Sequence, residues 1–262
     1  MMRAMWTAAS GMVAQQSNID VIANNLANVS TTGFKKVRTD FQDLIYQTVR
    51  QPGATTGTDN MLPTGVQIGH GTRQVATQHI FTMGSFQSTG NALDVAIQGD
   101  GFFQITLPDG TLGYTRDGSF KKDGQGRMTN SEGYFLEPQI TIPTNATDLT
   151  ISAEGVVTAT IPNQTAVQNL GQIEVARFVN PAGLSSIGGN LFKETDASGT
   201  PTVVNPGSDG SGTLVQKFTE MSNVQVVEEM VNMIVAQRAY EINAKAVTAS
   251  DEMLQTANTM KR

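Results

Sequence analysis

The stretch "VIANNLANVSTTGFKK", residues 21–36, changes character halfway along its length. From upstream through its first half, apolar and small residues from Met2 to Leu26 recur at alternating steps of three and four, which is the pattern of a helical heptad seam. The segment "NVSTTG" then offers turn-forming residues, and Gly33 can take a positive φ. The sequence therefore predicts a helix from the chain start to about Asn28 that ends in a polar turn.

The other end of the chain carries a second helical pattern of the same kind. Apolar residues keep a similar spacing from Val224 to Met260, and Ser222 with Gln225 fits a capping box at its start. We interpret both helices as parts of one polymerisation seam. The predicted seam residues are Met5, Met12, Ile19, Ala23, Leu26, Val227, Val231, Ile234, Val235, Ile242, Ala246 and Met253.

Between the two helical segments the pattern changes to short β-branched and aromatic runs. Residues 93–138 read as consecutive strands, with turns predicted at the Asp-Gly pairs that begin at Asp100, Asp109, Asp117 and Asp123. The predicted fold class is α+β, with coiled-coil-like terminal α-helices from both chain ends and a central antiparallel β-rich domain.

A Thr- and Gly-rich segment, "YQTVRQPGATTGTDNMLPTG" at residues 46–65, separates the first helix from the β-rich region. Its prolines exclude a continuous helix, so it predicts an extended arm or a long hairpin, with a disordered linker as the alternative. The predicted division of the chain is a helical polymerisation domain at 1–34 and 222–262, an arm and connector at 35–75, and a β-rich outer domain with its return connector at 76–221.

Composition argues against several classes of function. The net charge of −6 and the pI near 4.9 disfavour nucleic-acid binding, and the absence of Cys removes disulfides and thiolate sites. We predict no catalytic residues, no cofactor and no metal site: His70 and His79 read as surface residues, and hairpin chemistry explains the Asp-Gly pairs better than calcium does. The basic cluster Lys35-Lys36-Val37-Arg38 reads as solvated surface.

No segment approaches the roughly 20 apolar residues of a membrane span, and we expect no membrane insertion. The apolar run at the chain start is broken by polar residues and continues as heptads, so we expect no cleaved signal peptide.

Two one-sided helices paired only with each other would be marginally stable, because their burial gain is small against the entropy of ordering them. This balance predicts subunits that gain further neighbours by polymerising through non-closing interfaces. The alternatives are a coiled-coil-stalked surface adhesin and, third, a β-rich hydrolase.

Three segments carry a resemblance to a known family. "IANNLANVSTTGFKK" (22–36) resembles the N-terminal signature of the bacterial flagellar rod and hook proteins. "IQGDGFFQI" (97–105) with "YTRDGSF" (114–120) resembles their shared β-domain core, and residues 228–262 resemble their C-terminal helix. Chain length, "AQRAYEINAKAV" (236–247) and the rod-specific stretch of the arm at 46–63 favour the distal rod members over the shorter proximal rod proteins. The proximal rod proteins remain the alternative within the family, and the hook protein differs by its additional outer domain.

The resemblance implies a structural subunit of a straight, stiff shaft in the flagellar basal body that crosses the periplasm and transmits torque from motor to hook. Its implied partners are further copies of itself, the proximal rod and hook proteins, the P- and L-ring bushing, the type III export apparatus and the rod-assembly cap.

The resemblance also implies two sets of functional residues. The implied hinge, where the chain leaves the inner tube, comprises Asn24, Asn25, Asn28, Gly33 and Phe34; the other interpretation of its asparagines is a simple preference for helix-end turns. The implied rod-stiffening arm comprises Tyr46, Arg50, Pro52, Gly53, Pro63 and Gly65.

Overall fold

The computed structural model describes residues 2–53, 63–162 and 167–260. Two long α-helices lie at the two ends of this described chain, α1 (Met2–Ala27) and α2 (Val226–Thr259), and a single 3-10 turn spans Pro181–Gly183. The end of α1 at Ala27 confirms the helix end predicted from the "NVSTTG" turn. With a β-rich region between the helices, the α+β prediction is confirmed.

The described residues also form twenty strands. The first ten are β1 (Val37–Asp43), β2 (Tyr46–Arg50), β3 (Val66–Gly69), β4 (Thr72–His79), β5 (Phe86–Ser88), β6 (Val95–Gln98), β7 (Phe102–Thr106), β8 (Leu112–Thr115), β9 (Lys121–Lys122) and β10 (Met128–Thr129). The second ten are β11 (Phe135–Glu137), β12 (Asp148–Ile151), β13 (Val156–Thr160), β14 (Gln168–Gln172), β15 (Val175–Arg177), β16 (Ser185–Gly188), β17 (Leu191–Lys193), β18 (Thr202–Val204), β19 (Thr213–Gln216) and β20 (Phe218–Glu220).

Two compact units divide the described chain. The terminal unit consists of the described parts of residues 1–26, 37–78 and 225–262, and the central unit consists of 27–36 and the described parts of 79–224. The terminal unit holds both helices with two strand pairs, β1 with β4 and β2 with β3. The three-part division predicted from the sequence stays a prediction.

The central unit is built on an antiparallel sheet of nine described strands, in the order β16-β17-β8-β7-β11-β10-β9, with β15 joining β7 to β18. Consecutive side chains of a strand point to opposite faces of the sheet, and β7 has buried side chains on both faces. Phe103 belongs to the large core with Ile97, Leu136 and Val157, whereas Phe102 belongs to a smaller aromatic cluster with Phe178 and Phe192. Both faces of this sheet are therefore covered.

Local turn chemistry predicted only some of the strand connections correctly. Asp109-Gly110 closes the β7–β8 hairpin and Asp123-Gly124 closes the β9–β10 hairpin. The hairpin interpretation is wrong at Asp100-Gly101, because β6 pairs with β19 instead of β7. It is also wrong at Asp117-Gly118, where β8 and β9 do not pair and the Asp117 carboxylate accepts hydrogen bonds from Ser119.

The predicted capping box at the start of α2 is wrong. Gln225 is the N-cap residue and makes no side-chain capping bond, and Ser222 Oγ lies upstream, where it accepts a hydrogen bond from the Val224 N–H. Glu228 and Glu229 lie in the first turn of α2. No helix within the described ranges combines the length and apolar character needed to cross a bilayer.

Candidate assembly site

The two terminal helices lie side by side and antiparallel. Asn25, near the end of α1, donates from Nδ2 to Glu229 Oε2 at 3.2 Å near the start of α2. Further along, a Cβ placed on Gly11 would lie 2.9 Å from Asn243 Nδ2, so Gly11 permits close approach of α2. Asn25 also exchanges two 2.9 Å hydrogen bonds with the backbone of Val37. It thereby ties the end of α1 to the start of β1.

The face of α2 that packs within the terminal unit carries polar and small residues. Glu229, Ala236 and Ser250 are buried, and Asn243 between them is partly buried. These four positions repeat every seven residues, which is the period of a helix contact seam. The contact of α2 within its own chain therefore uses its polar and small heptad.

An apolar stripe lies to one side of the polar heptad on α2, because Val235 and Ile242 each precede a heptad member by one residue, which is a rotation of about 100°. Val227, Val235 and Ile242 are 75%, 62% and 66% exposed. These side chains therefore remain exposed within the described chain.

The predicted seam residues fall into two groups. On α1, Met5, Met12, Ile19 and Leu26 are partly buried, Ala23 is exposed, and the most buried positions are their neighbours Ala8, Ala14, Ile22 and Asn25. On α2 every predicted member is exposed: Val227, Val231, Ile234, Val235, Ile242, Ala246 and Met253. Their role in polymerisation stays a prediction.

The polar segment after α1 is fixed within the central unit. Gly33 donates its N–H to Glu220 O at 2.8 Å, and Asn190 Nδ2 donates to Thr32 O at 3.0 Å. Lys36 donates its N–H to Asn223 Oδ1 at 2.7 Å. Gly33 has φ +69°, and a Cβ there would lie 2.6 Å from the Asp117 nitrogen, so this contact requires glycine.

A buried charge cluster holds the same segment. Lys35 Nζ lies 2.6 Å from Glu220 Oε1, and Arg116 Nε lies 3.0 Å from Glu220 Oε2. The side chains of Lys35 and Glu220 are fully buried and that of Arg116 is 4% exposed. Lys35 also donates to Thr82 O, and the Gly84 N–H donates to Glu220. The Lys35–Arg116–Glu220 cluster thus joins segments that are far apart in sequence.

The cluster contains two cations, Lys35 and Arg116, but only one carboxylate, Glu220. Burial, and then the positive charge of Arg116, lower the pKa of Lys35 against the attraction of Glu220. Burial alone would raise the pKa of Glu220, but Arg116 and Lys35 outweigh it and hold that pKa below its ordinary value. Glu220 is therefore the residue on which the whole cluster depends.

The predicted hinge residues occupy different environments. Asn24 is exposed on α1, Asn25 is buried in the terminal unit, and Asn28 Oδ1 accepts a hydrogen bond from Thr31 Oγ1 at 3.2 Å. Gly33 is buried and Phe34 is half-buried in the central unit. Their role as a hinge stays a prediction.

The predicted arm begins and ends in an antiparallel strand pair. Tyr46 lies opposite Gly69, and Arg50 lies opposite Val66. Tyr46, Arg50, Pro52, Gly53 and Pro63 are exposed, and Gly65 is partly buried, close to Arg50 and Pro52. Residues 54–62 of the arm lie outside the described residues.

Sequence reasoning missed the charged residues that organise this site. The interpretation of Lys35 as solvated surface is wrong, because its side chain is fully buried against Glu220. Glu229 on α2 is likewise buried, at 1% exposed, and was not among the predicted site residues. One sequence signal did point to Lys35, because this residue lies two positions after Gly33, the glycine that the turn requires. Nothing local marks Glu220.

The two histidines occupy different environments. His70 is exposed, whereas His79 is half-buried, packs edge-on against Phe192 and has its pKa lowered by burial. Across the described ranges, no three His, Asp or Glu side chains converge in a way that could hold a metal ion.

Comparison with protein families matches three parts of the chain, and all three matches are to axial components of the bacterial flagellum. Residues 5–35 match the family "Flagella basal body rod protein". Residues 96–159 match "Flagellar hook protein FlgE/F/G D1 domain", and residues 215–260 match "Flagellar basal body rod FlgEFG protein C-terminal". The first of these matches contains α1 and the Gly33 turn, and the last contains Glu220 and α2.

Curated relatives agree over the full length. The chain is 57% identical to the flagellar basal-body rod protein FlgG of Borreliella burgdorferi over 264 residues, with all of both chains covered. It is 48% identical to FlgG of Caulobacter vibrioides, covering 99% of this chain and 100% of the relative. It is 42% identical to FlgG of Bacillus subtilis, with both chains fully covered.

The chain belongs to the flagellar basal-body rod protein family. It is a structural subunit of the rod in the flagellar basal body, and the alternatives of a proximal rod protein and of a surface adhesin are not favoured. Members of the rod and hook family polymerise and associate with other rod and hook components.

Proposed function

We propose that this chain polymerises with copies of itself into the straight distal segment of the rod, which transmits torque from motor to hook. The supporting observation is the apolar stripe of α2, which remains exposed while the polar heptad of the same helix is used within the chain. Contiguous exposed apolar surface on a soluble protein marks an interaction site. A non-closing contact between copies through such a surface gives a helical filament.

Val235→Asp tests this function. We expect the variant to fold normally, because Val235 is 62% exposed and surface substitutions change stability by about 0.5 kcal/mol or less. We expect it to lose polymerisation, because a carboxylate buried between subunits has no partner. Sedimentation of the purified protein under polymerising conditions measures the effect.

Gln237→Asp is the matched control for Val235→Asp. Gln237 is also exposed on α2, and it lies on a different face two residues along. It receives the same charge and should polymerise as the parent does. Equal polymerisation of both variants would contradict a role for the apolar stripe.

The arm supports the assignment to a stiff segment. Its strands expose Tyr46, Val49, Val66 and Ile68, which are 42% to 57% accessible in the single chain. Bending a filament requires neighbouring subunits to slide past one another. An apolar hairpin wedged between subunits would oppose that sliding, and we propose this role for the arm.

Deleting residues 46–63 should make the assembled polymer more flexible, because it removes the wedge together with β2. The measurement is the curvature distribution of polymers imaged by electron microscopy. Unchanged curvature would refute the proposal for the arm.

A second variant separates the tip of the arm from its strands. Replacing residues 51–65 with Asn-Gly leaves Arg50 and Val66 joined by a two-residue turn of the kind that closes hairpins. If this variant stays straight, the strands provide the stiffness. If it bends as the deletion does, the tip provides it.

The remaining assignments rest on the family resemblance. We propose residues 1–34 and 222–262 as the inner tube of the polymer, 35–75 as arm and connector, and 76–221 as the outer domain. The proposed partners are the proximal rod and hook proteins, the P- and L-ring bushing, the export apparatus and the rod-assembly cap. The proposed location is across the periplasm, after type III export without a cleaved signal.

A further inference from the structure

Methionine supplies all the sulfur in this protein. The chain has 12 methionines and no cysteine, so an oxidant that attacks sulfur can react only with thioethers. Their environments differ widely. Met128 is fully buried in the central unit, whereas Met83 in the same unit is 50% exposed. Met253 on α2 is 51% exposed, and Met260 at its C-cap is 82% exposed.

Met253 and Met260 border one shallow groove near the end of α2. They are seven residues apart, so they lie on the same side of the helix, and Ala249 and Ala257 complete the apolar part of the groove. Met253 is also one of the exposed residues of α2 that we predict to belong to the polymerisation seam. The thioethers in the groove are thus open to small molecules in the free subunit.

Among the described residues, the two polar side chains that line the groove, Glu252 and Thr256, offer no free donor to a new acceptor. Thr256 Oγ1 donates to Glu252 O at 2.9 Å, so that hydroxyl hydrogen is already used. Glu252 itself is an acceptor when ionised. A sulfoxide oxygen formed in this groove would therefore have water as its hydrogen-bond donor, and a partner helix would displace that water.

We propose that Met253 and Met260 form an oxidation site at which hydrogen peroxide blocks incorporation of the free subunit into the polymer. This inference rests on the proposed polymerisation through α2. The sulfur lone pair attacks one peroxide oxygen, the O–O bond breaks, and the departing hydroxide takes the proton from the oxygen now bound to sulfur, which leaves the sulfoxide and water. Sulfur is oxidised by two electrons to the sulfoxide, and the peroxide is reduced.

The consequence for assembly follows from polarity. A thioether packs flexibly against several neighbours, whereas its sulfoxide is a strong polar acceptor. Burying that acceptor unpaired opposes the contact. We expect the concentration needed for polymerisation to rise by about tenfold or more, the factor that corresponds to roughly 1.4 kcal/mol.

The experiment treats the purified full-length monomer with hydrogen peroxide, maps oxygen addition at each methionine by peptide mass spectrometry, and then measures polymerisation by sedimentation. It compares the parent with Met253→Leu/Met260→Leu and with Met83→Leu. Polymerisation of each treated protein is divided by that of its own untreated sample, so any effect of the substitution itself cancels. Met83 provides the matched control, because its exposure equals that of Met253 within a per cent.

We expect peroxide to reduce polymerisation of the parent and of Met83→Leu, and to leave the treated-to-untreated ratio of the double variant near one. An equal loss in the double variant would overturn the proposal, as would full polymerisation of a parent oxidised at both positions. Failure of the proposed function gives a different result, in which Val235→Asp polymerises as the parent does.

Discussion

Replacing Glu220 with Ala should destabilise the central unit by about 3–5 kcal/mol, the usual cost of removing one partner from a buried ion pair. The substitution leaves Lys35 and Arg116 buried next to each other without their shared carboxylate. It also removes the acceptor of the Gly84 N–H. Denaturant unfolding of the full chain, followed by circular dichroism of the β signal, measures this loss.

Lys35→Met is the matched comparison, and its expected cost is smaller. It removes one of two cations, so Arg116 and Glu220 remain as a balanced pair with their 3.0 Å contact. Methionine replaces most of the buried lysine stem, and the main loss is the donor to Thr82 O, at about 1–3 kcal/mol. A larger loss for Lys35→Met than for Glu220→Ala would contradict the central position of the carboxylate.

The pH dependence of the same site has a defined sign. The pKa of Glu220 is lower in the folded protein than its ordinary value, so the folded state binds the proton less readily than the unfolded chain does. Its contribution to stability is present above about pH 4.3, the ordinary glutamate pKa, and is lost as the pH falls through the folded pKa. Glu220→Gln should therefore lose less stability than the parent does over that acidic range.

How much of this fold the sequence could predict depends on the separation of the interacting residues. Both helices were predictable, because the helical spacing from Met2 to Leu26 and along α2 involves only residues that are close in sequence. The Asp109-Gly110 hairpin was predictable for the same reason, since β7 and β8 are adjacent in the chain. At Asp100-Gly101 the same chemistry misled, because the partner of β6 is β19, more than a hundred residues later.

The same distinction between contacts that are local and contacts that are distant in sequence applies to the candidate site. An apolar stripe on α2 could be predicted from periodicity, but not the face that the chain itself uses. That face carries Glu229, whose burial depends on Asn25, 204 residues away in sequence. The Lys35–Glu220 contact spans 185 residues, and a lysine beside other basic residues ordinarily indicates solvent. Tertiary burial reversed that expectation.

Gly33→Ala should cost the central unit on the order of 3 kcal/mol or more, because two penalties coincide there. A left-handed φ costs about 1–2 kcal/mol for a residue with a Cβ, and Gly33 has φ +69°. The new Cβ would also lie 2.6 Å from the Asp117 nitrogen and 2.8 Å from the Arg116 carbonyl carbon. Backbone atoms cannot rotate away, so the turn or the end of β8 must shift, and the shift displaces Arg116 from Glu220.

Gly90→Ala separates the two penalties. Gly90 has φ +74°, and a Cβ there would have no heavy atom within 4 Å, so this variant carries only the conformational cost. Denaturant unfolding of both variants should give a larger loss for Gly33→Ala than for Gly90→Ala. Equal losses would mean that the turn yields without disturbing Arg116. A larger loss at Gly33 would show that the turn at Gly33 is packed as part of the central unit.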